Sequence, residues 1–216
     1  MTQKTQEQKA TAQKATAQKA PAQKAPEPGR RERKKAATRK ALSDAALRLF
    51  LERGYDNVKV AEIAAAADTA LTTLFAHFPG GKEALVLGDS EEREASLKAA
   101  VRERGDGVSV LDALRTFLAG RGMFADDLDN EFRRRLDLVV STPALRRYAR
   151  TLWVNCEAPL AEVIAEESGK SPDDVGLRLL ARYVLELPDL VAGDPAPRDS
   201  LAAAFTYFKR GWPDLA

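Results

Sequence analysis

The side chains best suited to chemistry in this 216-residue chain are few and scattered. His77 is the one histidine and Cys156 the one cysteine, so no His/Cys metal cluster and no internal disulfide can be built. Gly80-Gly81-Lys82 comes nearest to a phosphate loop, but that motif would put a glycine at Ala76 and a hydroxyl at Glu83. The chain has neither a nucleophile elbow nor a dinucleotide fingerprint. These absences speak against an enzyme and give no reason to expect a catalytic residue, a metal or a cofactor. The chemistry left is that of binding: hydroxyls at Thr69, Thr72 and Thr73, an imidazole at His77 and an ammonium at Lys82 lie close together in one short stretch.

The elements that must position them read as helices. Leu42, Ala45, Ala46, Leu49 and Phe50 recur at three- and four-residue intervals up to Gly54. Val60, Ile63, Ala64 and Ala67 form a second apolar stripe, interrupted at Asp68-Thr69, and Leu71, Leu74, Phe75 and Phe78 form a third, ended by Pro79-Gly80-Gly81. Two short helices joined by a tight turn and braced by a longer one in front are the parts of a helix-turn-helix unit, which reads duplex DNA. Beyond Lys82, glycine and proline breaks leave five or six further helices and no convincing strand; Leu136–Val140 is apolar enough for one but is flanked by helical spacing.

Charge is distributed unevenly. Residues 1–40 carry twelve Lys/Arg against three Glu, a balance of +9, so the rest of the chain sits at −7 within a total of +2. Up to about Gly29 the sequence repeats every five residues, with Lys4, Lys9, Lys14, Lys19 and Lys24 in register and Pro21, Pro26 and Pro28 against helix. This composition predicts a disordered basic tail over 1–32. The tail is either an arm that adds phosphate or minor-groove contacts or a solubilising segment that touches no DNA. No run approaches 18 apolar residues and no apolar signal core opens the chain, so a cytoplasmic location without a membrane partner is expected.

The head can now be compared with a known family. T-R-K-A-L-S-D-A-A-L-R-L-F-L-E-R-G-Y (38–55), V-A-E-I-A-A-A-A (60–67), T-T-L-F-A-H-F-P (72–79) and K-E-A-L (82–85) closely resemble the TetR family of repressors. The resemblance implies an all-α homodimer: a helix-turn-helix head, 33–85, and a helical ligand-binding and dimerisation body, 86–216. Its implied partners are a pseudo-palindromic duplex operator and an unknown small-molecule effector that releases it. Carried over position by position, Thr73, Phe75, His77 and Lys82 fall where the family contacts DNA, and the recognition helix presents Leu71 and Thr72. Arg39, Lys59 and Thr69 complete the expected DNA-binding set. The chain departs from the family by having Asp68 for Gly, Ala70 for Ser, Lys59 for Thr, Phe75 for Tyr and one extra glycine before Lys82. Ala70 cannot cap a helix, so Asp68 or Thr69 should, and Phe75 should pack as tyrosine does but without the hydroxyl. From Thr69 to His77 there is no Arg, Lys, Asn or Gln, so base readout must rest on threonine, apolar contact with thymine and DNA shape. The rival reading is a largely nonspecific DNA-binding dimer that uses its tail and senses nothing.

In the body, Leu145, Ala149, Leu152, Cys156, Leu160 and Val163 predict one continuous helix from Pro143 to about Ser168, kinked at Pro159. A ligand cavity is expected beside that kink, with Phe117, Phe124, Tyr148, Trp153, Asn155 and Cys156 as its wall and Met123 and Phe132 nearby; the same side chains could equally fill a core. Cys156, on an apolar stripe, reads as inert rather than as a redox sensor. The family resemblance implies that the last two helices pair across a twofold axis, through Tyr183, Leu187, Leu201, Phe205 and Phe208. F-R-R-R-L-D-L-V-V-S-T-P-A-L-R-R-Y (132–148) loosely resembles actinobacterial members of the family.

Overall fold

The computed structural model describes residues 29–88, 90–126 and 128–216, and among these the fold is entirely helical. The five-residue repeat, and with it most of the predicted tail, lies outside the described residues. Helix α1 spans Arg30–Arg53, α2 Val60–Ala66, α3 Leu71–His77 and α4 Gly81–Leu87. The body adds α5 Glu91–Arg102, α6 Val110–Ala119, α7 Asn130–Ser141, α8 Pro143–Val154, α9 Glu157–Ser168, α10 Val175–Leu190 and α11 Pro197–Gly211.

Three expectations change. First, α1 begins at Arg30, three residues inside the span assigned to the tail. No glycine or proline stands between Gly29 and Gly54, and Glu32 in the first turn suits the positive end of the helix. Second, among the described residues eight helices, α4–α11, follow the head's third helix instead of five or six, because Gly88 (φ 73°) and the Asn155-Cys156 turn each divide a span that the apolar periodicity joins. Third, Pro159 does not kink a helix: it stands in the first turn of α9, where a missing N–H costs nothing.

The head packs around Leu42, Ala46 and Phe50 of α1, Ile63 of α2, Leu74 of α3 and Leu85 of α4, all essentially inaccessible to water. Leu145 of α8 joins this cluster, with Leu138, Val139 and Tyr148 against its edge, so α7 and α8 brace the head directly. The body has its own core, built from α5, α6 and α9–α11 around Val101, Leu111, Leu114, Leu160, Leu180 and Phe205. Between α8 and α10, Arg150 grips Glu186 with two hydrogen bonds of 2.7 and 2.6 Å and Arg146 donates to Asp189 at 2.7 Å. Among the described residues no helix is long and apolar enough to cross a membrane.

Candidate nucleic-acid interface and body cleft

The turn between α2 and α3 sets the interface. Asp68 takes a left-handed backbone (φ 48°), a conformation Asp tolerates better than most side chains and one that suits glycine. The Thr69 amide donates back to the Ala64 carbonyl at 2.9 Å, and its hydroxyl donates to Ala67 at 3.0 Å. The cap expected from Asp68 or Thr69 is therefore not made: Ala70 occupies the N-cap of α3 without a side-chain bond, because Thr69 has turned toward α2. At the head of α2, the Lys59 amide donates to Glu62 Oε2 at 2.7 Å, leaving the Lys59 side chain exposed. That bond and the Arg53 guanidinium hold the Glu62 carboxyl below its usual range.

Leu71, Thr72, Phe75 and Ala76 lie along the exposed face of α3, spaced as one side of a helix, while Leu74 is buried and Thr73 half-buried. Phe75 departs from expectation: the residue is 46% exposed, so it is not buried as a packed core ring would be. Arg39 is committed within the head, donating to the His77 carbonyl at 2.6 Å and lying 4.4 Å over the Phe78 ring. His77 buries Nδ1 without a partner, so any contact it makes to phosphate falls to Nε2. Lys82, at the start of α4, donates to the Tyr55 carbonyl and sits 4.1 Å from the Tyr55 ring centroid. Partial burial pushes its pKa down. Upstream, Arg30, Arg31, Arg33, Lys34 and Lys35 lie on exposed turns of α1.

The body contains a half-open cleft of about 560 Å³, within the range of small-molecule sites. Of the residues expected to line it, Phe117, Phe124 and Trp153 do, together with Met123 and Phe132. The other three do not. Tyr148 is turned toward the head, its hydroxyl 3.4 Å from the Gly88 carbonyl; Asn155 is the exposed C-cap of α8; Cys156 is buried in the body core. Burial raises the Cys156 thiol pKa, which leaves it protonated and inert. The proline beside the cleft is Pro188, within α10, not Pro159.

Sequence reasoning missed the cleft's arginines, Arg93, Arg121, Arg135, Arg146 and Arg150. They come from four separate stretches of chain, and no local pattern joins them. Arg121 stacks 3.7 Å over the Phe117 ring, Phe117 meets Trp153 edge-on at 6.5 Å, and Arg93 lies 4.8 Å over Trp153. Arg135 donates across to the Val86 carbonyl of α4.

The residues expected to pair two copies also divide. Leu187, Leu201 and Phe205 face inward and are consumed by the protomer's own core, since α10 and α11 must first pack on α6 and α9. Tyr183 is half exposed and stacks on the half-buried Phe208.

Comparison with known proteins agrees with this geometry. The family profile described as "Bacterial regulatory proteins, tetR family" matches residues 42–88, and that of the "MftR C-terminal domain" matches 108–187. The chain is 30% identical over 142 residues to the putative mycofactocin biosynthesis transcriptional regulator MftR of Mycobacterium tuberculosis, covering 66% of this chain and 71% of that protein. It is 34% identical over 152 residues to the HTH-type transcriptional regulator TcmR of Streptomyces glaucescens, covering 68% and 67%. Salmonella enterica GusR shares the fold, with a TM-score of 0.52 at 23% identity over 83% of this chain and 95% of that one. With its DNA-reading helix pair, a matching body and relatives that are regulators rather than enzymes, the chain belongs to the TetR family of DNA-binding transcriptional regulators.

Proposed function

We propose that this chain is a homodimeric, sequence-specific repressor, with α1–α4 as its DNA-binding unit and α5–α11 as its effector and dimerisation unit, released from a pseudo-palindromic operator when a small molecule fills the body cleft. Such a regulator acts in the cytoplasm. The observation that carries the reading is contiguity: Leu87 and Gly88, at the end of α4, border the cleft, while Lys82, at its start, is bonded to the head. A ligand that moves one end of this short helix must strain the other.

On DNA, α3 enters the major groove with Leu71, Thr72 and Phe75 foremost, favouring thymine methyl groups over bidentate hydrogen bonds. Thr69 and Thr73 contribute from its flank, Lys59, His77 Nε2 and Lys82 reach phosphates, and Arg39 holds the end of α3 that presents them. The exposed cations at the start of α1 supply further phosphate contacts, each adding about 0.9 to the salt slope. Two heads about 34 Å apart would read successive turns of the duplex. The dimer face lies on the outer stripe of α10, where Val175, Leu179, Tyr183 and Leu190 are exposed, beside Tyr207 of α11. Such a stripe is too apolar to leave in water.

The test is binding to DNA beside the protein's own gene, titrated with salt against scrambled competitor, for the full chain and for one starting at Ala36, which lacks the five cations that open α1. Preference for the promoter by both chains is expected, with a shallower salt slope for the shorter one. Equal binding of scrambled DNA by both chains would favour the nonspecific alternative, since specific recognition exceeds it by about 10³ or more.

A further inference from the structure

We infer that the body cleft is an acid-binding site, taking a small molecule with a single negative charge on an aromatic or aliphatic body. This rests on the reading of the cleft as the effector site and names the chemistry it selects. Among the described residues lining the cleft there are five guanidinium groups and two carboxylates, Glu92 and Asp189. Arg146 and Arg150 are already answered by Asp189 and Glu186. Arg121 and Arg135 are not: their hydrogen bonds go to the carbonyls of Phe117 and Val86. Glu92 acts on Arg121, and Glu131 on Arg135, only through space.

Both guanidinium groups are partly stripped of water, and burial lowers their pKa, yet arginine remains charged at neutral pH. A desolvated charge that has no carboxylate bonded to it, only carbonyls and, for Arg121, the Phe117 ring, gains more from an anion than from a neutral ligand. Next to these two groups, Phe117, Trp153 and Phe124 offer an aromatic wall for the uncharged part. Arg135 also gives the site an outlet. The guanidinium that would hold the acid is the one that donates to Val86 of α4, so the ligand's anion competes with that carbonyl for the same donor.

The test uses two probes of one body, 8-anilinonaphthalene-1-sulfonate and the neutral N-phenyl-1-naphthylamine, titrated by fluorescence into the full chain. The sulfonate should bind about tenfold tighter, the size of one charge-assisted hydrogen bond. R121Q and R135Q should each lower sulfonate binding about tenfold and leave the neutral probe unchanged, with R135K keeping part of the preference and thermal melting confirming the fold. Equal binding of the two probes by the native chain, or unchanged sulfonate binding in folded R121Q, overturns the proposal even should R135Q fail to fold. Promoter DNA added to the same titration separates the two readings. Selective sulfonate binding that leaves DNA bound keeps the acid site and removes the sensor, whereas release by both probes alike keeps the sensor and removes the acid site.

Discussion

The head and the body divide charge in opposite ways. The α3 face proposed to meet DNA offers Leu71, Thr72, Phe75 and Ala76 and no cation, although DNA is a polyanion. The body cleft, walled by Phe117, Trp153 and Phe124, gathers five arginines around the proposed effector site. The contrast separates affinity from discrimination. In the head, on the proposed reading, general attraction falls to the exposed cations of α1, while the apolar α3 face contributes through shape and thymine contact. In the body, on the proposed reading, hydrophobic walls would supply the general attraction and charge would do the selecting.

This comparison can be pressed at five points. Phe205→Ala should cost about 3–5 kcal/mol, because the ring is buried in the body core. Leu190→Asp, at a 77% exposed position, should leave the fold intact and yield monomers on sedimentation. If Phe205→Ala instead gave folded monomers, the inward assignment of that ring would be wrong. Lys82→Met removes a charged donor from the Tyr55 carbonyl and should destabilise by about 1–2 kcal/mol in chemical denaturation. A loss of DNA affinity with unchanged stability would instead make Lys82 purely a phosphate contact.

Asp68→Val forces a β-branched residue into a left-handed turn and should cost about 1–2 kcal/mol, while Asp68→Gly should be neutral or slightly stabilising in thermal melts. The smallest effect is acidic. The Arg150 guanidinium, aided by Arg182, holds the Glu186 carboxyl below its ordinary value. Its stabilising contribution is therefore present above the unfolded carboxylate range, near about pH 4.3. It is lost as pH falls through the lowered folded value. Glu186→Gln should flatten the acid limb of Tm against pH by under about 1 kcal/mol.

How far the sequence could be read follows the same division. The head was legible because its constraints are local: Leu42 to Phe50 repeat at helical spacing, Gly54 and Pro79 punctuate, and the family's order runs through one continuous stretch. What escaped there was the exposure of Phe75 and the cap that Thr69 does not make. The missing cap accompanies the left-handed turn at Asp68, and the exposure of Phe75 the burial of Leu74 and Phe78 on the other side; composition sets neither. In the body, helix content was legible and the division of helices was not. The Asn155-Cys156 break carries no glycine and leaves the apolar stripe in phase, so periodicity ran through it. The cleft draws on Arg93, Arg121, Arg135, Trp153 and Pro188, which lie far apart in the chain. Leu187, Leu201 and Phe205 are partner-facing only by what the family resemblance implies; their apolar spacing marks a buried stripe without telling a protomer's own core from an interface.

The most direct test of a specific reader with an apolar recognition face is selection of duplexes from a random pool by the full chain. The account predicts an enriched inverted repeat with half-site centres one helical turn apart and thymine within each half, and a loss of binding when uracil removes those methyl groups. A pool that emerges without any enriched repeat, bound as tightly as the starting mixture, would contradict it.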